Sequence, residues 1–323
     1  MAESYFVVGG AGFIGAHFVQ HLLADPQSGR VTIFDNMSSG RDWHFTSVLK
    51  DARFGFVRGE AGDVEALTDA MRGHDTVIHL ASNPDIAKAQ AEPTIDFYQG
   101  TLLTQQVVEA MRRSGTPAIL YASGSGVYGD LGETEAREED SLGLPISTYG
   151  ASKLAGEALI SAYCYMFGLR GRSFRFGNVV GPRQTHGVGF DFVKRLLVDS
   201  TQLDILGDGR QSKSYIHVDD VIRAVLTAHR HVDNAYEVYN VATGDYITVT
   251  EIAELAVETL GLARDSVDFR YRGGDRGWKG DVPIVRLSTD RVRRLGWSHQ
   301  RSSREAMRAA MSSMIADFRL GRM

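Results

Sequence analysis

Val7-Val8-Gly9-Gly10-Ala11-Gly12-Phe13-Ile14-Gly15 decides the fold of this chain. An apolar, strand-like run from Tyr5 to Val8 precedes the glycines, and a helix-like run from Phe13 to Leu23 follows them. That is the strand-turn-helix context of a dinucleotide-binding fingerprint. Gly9, Gly12 and Gly15 suit it because the turn wants backbone angles a Cβ forbids, a pyrophosphate must approach the backbone, and the helix must pack tightly on the strand. The free amides and dipole at the helix N-terminus then hold the phosphates. A second run, Val31-Thr32-Ile33-Phe34, ends in Asp35, twenty residues after Gly15. A carboxylate there accepts hydrogen bonds from adenosine ribose hydroxyls and repels a 2′-phosphate, which favours NAD over NADP. Arg41, close by in sequence, leans slightly the other way.

The rest of the chain bounds the reading. At 323 residues it is long for one core and predicts two subdomains or one large α/β unit. Its 43% apolar and 23% charged residues are ordinary for a globular protein. A net charge of −5 argues against nucleic acid as a partner, since phosphate neutralisation needs a basic surface. No stretch approaches the roughly 18 apolar residues of a membrane span, and Met1-Ala2-Glu3-Ser4 lacks a basic, apolar leader, so a cytoplasmic location away from membranes is expected. Cys164 is the single cysteine, which excludes an internal disulfide and a cysteine-based metal cluster. Within Ala162-Tyr163-Cys164-Tyr165-Met166 it reads as a packed thiol, and no metal site is expected.

Strand-like runs at 5–8, 31–34, 54–58, 76–80, 118–122 and 170–176 alternate with helical ones at 13–24, 64–72, 94–113 and 149–167. This alternation predicts an α/β fold, a Rossmann-type doubly wound parallel sheet. After Gly181-Pro182-Arg183 the rhythm changes to isolated helices at 189–198, 219–231, 249–260 and 303–318, separated by short strands and Gly- or Arg-rich loops. The expected organisation is an NAD-binding domain over 1–177 and a smaller α/β lobe for the substrate over 178–323, with the ligand cleft between them.

Tyr149 and Lys153 are four residues apart, so on a helix they share a face. Tyrosine, with a pKa near 10, is a poor base at neutral pH; a cation about 4 Å away at an effective dielectric of about 20 is worth roughly 4 kcal/mol, or about three pKa units. Lys153, joined by a positive nicotinamide, is therefore expected to make Tyr149 a phenolate that takes a substrate hydroxyl proton while hydride leaves for NAD.

With these two motifs stand Phe34-Asp35-Asn36-Met37-Ser38-Ser39-Gly40, Gly62-Asp63-Val64, His79-Leu80-Ala81-Ser82, Val127-Tyr128-Gly129, Arg175-Phe176-Gly177-Asn178-Val179-Val180-Gly181-Pro182 and Tyr215-Ile216-His217-Val218-Asp219-Asp220. Over nearly its whole length the chain resembles the extended short-chain dehydrogenase/reductase family, and within it the NAD-dependent nucleotide-sugar epimerases and dehydratases. Asp-Asn-x-Ser-Ser-Gly is most similar to the UDP-galactose 4-epimerase branch. The resemblance implies that Gly9, Gly12, Phe13, Ile14, Asp35, Asn36, Ser38, Ser39 and Gly40 hold the cofactor and that Asp63 and Val64 meet its adenine. It further implies that Leu80, Ala81 and Ser82 line the pyrophosphate and ribose, and that Ser123, Tyr149, Lys153 and Phe176 complete the cofactor site. Asn178 is implied for the nucleotide-sugar diphosphate, and a homodimer through helices near 94–113 and 149–167.

The departures from the pattern carry their own expectations. Gly124 stands where the family places a Ser or Thr that hydrogen-bonds the reacting sugar oxygen. Ser123 and Ser125 flank it, but neighbours on an extended segment face opposite sides, so one of them serves only through a local bulge or turn; Ser125 is the preferred catalytic substitute, with Ser123 or a water as alternatives. Losing such a donor outright costs on the order of 10²–10³ in rate. Gly126 occupies the place of the decarboxylases' Glu, which leaves an elimination mechanism no visible acid, and Phe97 replaces the Asn of Asn-x-x-Gly-Thr. Lys213 replaces an Arg at the diphosphate, a point charge in place of a fork, with Arg210 and Arg276 as added clamps. His79 and His217 read as structural. The expected reaction is NAD-dependent 4-epimerisation of a UDP-linked hexose or uronate by transient oxidation at C4. Its rivals are a decarboxylase or dehydratase sharing that oxidation, a net dehydrogenase on a smaller alcohol, and a binding protein without catalysis.

Overall fold

The glycine-rich opening folds into strand β1 (Glu3–Val8), helix α1 (Phe13–Ala24) and strand β2 (Ser28–Asp35) in a computed structural model that describes residues 2–140, 142–231 and 234–322. The alternation continues through β3 (Phe54–Arg58), α2 (Val64–Met71), β4 (Thr76–His79), α3 (Leu103–Ser114), β5 (Ala118–Gly124), α4 (Thr148–Phe167) and β6 (Arg170–Phe176). Shorter pieces follow: β7 (Asn178–Val180), α5 (Val188–Val198), β8 (Gln202–Ile205), β9 (Ser212–Lys213), β10 (Tyr215–His217) and α6 (Val218–Arg230). After β11 (Tyr236–Val241) come β12 (Ile247–Thr248), α7 (Val249–Thr259), β13 (Asp268–Tyr271), α8 (Asp290–Arg293) and α9 (Ser303–Arg319).

Seven strands among the described residues form one sheet in the order β11-β6-β5-β4-β1-β2-β3. Pairings from β3 through β2, β1 and β4 to β5 are all parallel, the doubly wound arrangement its alternation predicts. Strands covered on both faces should be buried along their length, and every residue of β4 and all but the first of β1 are, the polar Ser4, Thr76 and His79 included. The order reverses between β1 and β4, which is where open α/β sheets bind ligands outside the carboxyl ends of their strands. Phe6, Phe34, Leu67, Met111, Ile119 and Ile160 pack in the core around this sheet.

The chain divides into two compact units, each built from three segments: 1–127, 148–175 and 225–239 in the first, and 128–147, 176–224 and 240–323 in the second. A single cut after residue 177 lies near the crossing at Arg175/Phe176 but omits two excursions. Segment 128–147 belongs with the second unit, and segment 225–239 returns to the first. The second unit has its own core, in which Phe192 and Leu196 of α5, Ile252 of α7, and Met307 and Met311 of α9 pack together.

One helix differs from its periodicity. The stretch expected to run from 94 to 113 begins as a π-helical turn, Phe97–Leu102, and becomes α-helical only at Leu103. A π turn carries an extra residue and rotates what lies before it. Asp96 is thereby turned inward, 2% exposed, while Phe97 and Tyr98 face outward at 53% and 59%.

Candidate active site

Gly9 leaves β1 with φ +82°, and a Cβ there would lie 2.7 Å from the amide nitrogen of Ala81. On Gly15 it would lie 2.5 Å from the carbonyl of Gly9, so turn and helix meet backbone to backbone. Gly12 is the N-cap of α1 without a side-chain cap, and the first turn of α1, opened by Phe13 and Ile14, holds no acid. The positive end of the helix is thus left for an anion to match.

Asp35 closes β2 and ties this loop together: Oδ2 accepts from Ala11 N at 2.9 Å and Oδ1 from Met37 N at 2.8 Å. Burial raises its pKa and so does the charge of Glu60, against those two amides. The carbonyl of Ala11 accepts from His44 Nδ1 at 2.8 Å and Arg41 N at 3.2 Å. Asn36 donates to Glu60 at 3.0 Å and accepts from Ser38 N at 2.9 Å; Ser38 and Ser39 are exposed, and Gly40 is buried against Ala11. Leu80 N and Ala81 N both donate to the carbonyl of Val8, which fixes the segment leading to Ser82 beside Gly9. Asp63 caps α2 through Ala66 N at 3.0 Å, ahead of Val64. A glycine cradle, an unmatched helix end and an acid at the end of β2 fit the diphosphate and ribose of a dinucleotide.

Tyr149 and Lys153 lie one turn apart on α4. Lys153 Nζ donates to the carbonyl of Ala122 at 2.8 Å and stands 5.1 Å from the ring centre of Tyr121 and 5.5 Å from that of Tyr149. Burial pushes the lysine down to about 8, against the charges of Asp96 and Glu157. Tyr149 is pushed up to about 12, by burial first and the Asp96 charge second, with a hydrogen bond to Ser82 opposing. The expectation that Lys153 lowers the tyrosine is therefore corrected. Its ammonium points at a backbone carbonyl, and desolvation outweighs a charge at that range.

Position 124 does face the tyrosine, since a Cβ there would lie 3.9 Å from Tyr149 Cε1, but glycine offers it no hydroxyl. Ser123 is buried and donates to Glu157 Oε1 at 2.5 Å, and Glu157 is held in turn by Arg175 Nε at 3.0 Å and Nη2 at 2.7 Å. That commits Ser123 to the scaffold. Ser125 is half-buried at the start of a 3₁₀ turn, Ser125–Tyr128. The hydroxyl that meets Tyr149 is Ser82, which the sequence groups with the cofactor lining; its one signal was its place just past β4, at the switch point. Asp96 gave less: a lone acid beside the departure at Phe97. His79, fully buried on Thr104 at 3.1 Å, is driven down to about 3 by burial and the Lys153 charge, which leaves it a neutral packing group.

In the second unit Asn178 is exposed on β7, with Nδ2 3.4 Å from the carbonyl of Ser214. Arg210 is exposed in a turn that Asp208 closes through Arg210 N at 2.9 Å. Lys213 Nζ is paired with Asp281 at 2.6 Å, and Arg276 donates to Asp130 at 2.6 Å and to the carbonyl of Asp281 at 2.6 Å. Two of the three cations assigned to the diphosphate thus hold carboxylates. Phe176 is buried at the end of β6, and no helix among the described residues is long and apolar enough to cross a membrane.

Residues 5–242 match the model of the NAD dependent epimerase/dehydratase family. A UDP-glucose 4-epimerase of Mycolicibacterium smegmatis is 31% identical over 302 residues, 91% of this chain and 93% of that protein. A crystal structure of a UDP-galactose 4-epimerase superposes with a TM-score of 0.86 at 32% identity, covering 97% of this chain and 99% of the other. The dTDP-glucose 4,6-dehydratase DesIV of Streptomyces venezuelae, solved with NAD, superposes at 0.89 with 26% identity and 98% coverage of each chain.

Proposed function

The chain belongs to the NAD-dependent epimerase/dehydratase family, and from that premise we propose that it epimerises a nucleotide-linked hexose or uronate, UDP-linked by preference, at C4. The observation that carries the reading is the meeting of Tyr149, Lys153 and Ser82 in the first unit. NAD, the family's cofactor, supplies a hydride acceptor and donor when bound. Tyr149 accepts the proton of the C4 hydroxyl and later returns it. Ser82 hydrogen-bonds the phenol, and Ser125 is the hydroxyl left to reach the sugar oxygen. To serve as that base Tyr149 must first lose its own proton to solvent, and burial, which holds the resting phenol near 12, is what ligand binding has to offset, since Lys153 alone does not.

We assign NAD to the first unit, with Gly9, Gly12, Phe13, Ile14, Asp35 and Leu80 to Ser82 as its first contacts, and the nucleotide sugar to the second unit through Asn178, Arg210, Lys213 and Arg276. A homodimer is supported by the exposed Phe97, Tyr98, Tyr165 and Met166 on the helices near 94–113 and 149–167; light scattering reads its mass. Fractionation of cells tests the cytoplasmic location.

Incubation of the purified protein with UDP-, dTDP- and GDP-linked hexoses, uronates and N-acetyl sugars, read by chromatography with mass detection, tests the reaction. A product of unchanged mass and altered retention is the expected result. The dehydratase reading, favoured by the 0.89 superposition on DesIV, requires loss of water instead. Tyr149→Phe lowers turnover by about 10²–10⁴-fold. Unaltered turnover in that variant removes Tyr149 from the chemistry.

A further inference from the structure

We infer that Asp96 is a positioning residue for catalysis, a buried carboxylate whose charge sets the protonation of Tyr149 and Lys153; the assignment rests on the proposed acid/base role of that pair. Asp96 is 2% exposed and accepts from Asn83 Nδ2 at 2.9 Å and Thr148 Oγ1 at 2.7 Å. Both donors are neutral. An asparagine would keep both contacts by accepting from Asn83 and donating its amide to the Thr148 hydroxyl, which can accept as well as donate, so hydrogen bonding alone does not demand a charge that is costly to bury.

The charge has other recipients. Thr148 opens α4 and directly precedes Tyr149, which places the carboxylate at the positive end of that helix. From there Asp96 disfavours the phenolate of Tyr149 and favours the ammonium of Lys153. The titratable and charged groups facing the pair are Asp96 from the segment before the π turn, Glu157 from α4, His79 from β4 and Tyr121 from β5. Glu157 is paired with Arg175 at 2.7 Å and His79 is neutral, whereas the side chains that hydrogen-bond Asp96, Asn83 and Thr148, are both neutral, so its charge is left to act on the pair. The π turn is what delivers it: with the extra residue at Phe97–Leu102, the side chain that faces inward is Asp96 and the one that faces solvent is Phe97.

The test is Asp96→Asn against wild type, with kcat and KM followed from about pH 5 to 10. We expect the acidic limb of kcat to move down by about one pH unit, as for removal of a neighbouring like charge. KM stays unchanged, Asp96→Glu restores the wild-type limb, and Thr148→Val leaves it in place. A limb that does not move in Asp96→Asn, whatever happens to the height of the profile, overturns the inference. A second readout is independent of turnover: the alkaline absorbance titration of Tyr149, isolated by subtracting Tyr149→Phe. Its midpoint falls in Asp96→Asn if the inference holds and stays put if it fails. Should no nucleotide sugar be turned over, the epimerase reading fails while this titration still decides the role of Asp96.

Discussion

Three ion pairs, one in the first unit and two in the second, show how the same chemistry serves different ends. Glu157–Arg175 in the first unit is closed off from solvent, its side chains 5% and 4% exposed, and Ser123 caps the carboxylate from the adjoining strand. Lys213–Asp281 in the second is 20% and 10% exposed, and Arg276–Asp130 is 34% and 25%. A sealed pair cannot exchange partners without stranding a charge, so it belongs to the scaffold, where it fixes α4 and with it Tyr149 and Lys153. A pair reached by water can trade a carboxylate for another anion at modest cost, which is what residues assigned to a diphosphate must do.

The contrast can be broken most sharply at Glu157. Glu157→Ala removes the carboxylate that accepts from buried Arg175 and Ser123 and costs about 3–5 kcal/mol, read by urea unfolding; a loss below about 1 kcal/mol would place this pair with the exchangeable ones. Next in size is Gly15→Ala, whose Cβ meets the carbonyl of Gly9 at 2.5 Å. Overpacking of that kind costs about 1–3 kcal/mol, and NAD affinity falls with it in a fluorescence titration. Asp281→Asn is milder than Glu157→Ala, because water reaches the Lys213 ammonium, yet it frees Lys213 and tightens UDP binding in calorimetry. An unchanged UDP affinity would detach Lys213 from the diphosphate.

The smallest effect is at the start of β1, where burial works to raise Glu3 but the bonds from His229, Thr76 and Tyr5 prevail and hold it at about 2. A carboxyl depressed in the folded state gives stability that is present above its unfolded pKa and lost as pH falls toward the folded one. The melting temperature of wild type therefore drops more steeply between about pH 4.5 and 2 than that of Glu3→Gln.

The difference between the two units also explains what could be read in advance. The glycine cradle is local: its three glycines, Asp35 and the helix behind them lie within one strand-helix-strand unit, so their spacing carries their geometry. α1 accordingly occupies 13–24, as its periodicity predicts. Partners far apart in sequence leave no such trace. Asp281 is 68 residues from Lys213 and Asp130 is 146 from Arg276, so cations that look free on paper are paired in the fold. Asp96 was hidden for a different reason. The helical period of 94–113 assumes an even turn, and a π turn changes by one residue which side chain faces inward. Ser82 was visible, but its neighbour Tyr149 is brought to it only by the docking of α4 on the sheet.

Cys164 gives this architecture a built-in gauge. It lies on α4 beneath Gly171 of β6, where even an added Cβ would come within 2.8 Å of its sulfur, and burial lifts the thiol to about 11. A thiol so placed reacts with an alkylating reagent only when the catalytic helix parts from the sheet. Being the single cysteine of the chain, it turns the rate of modification into a direct count of those openings.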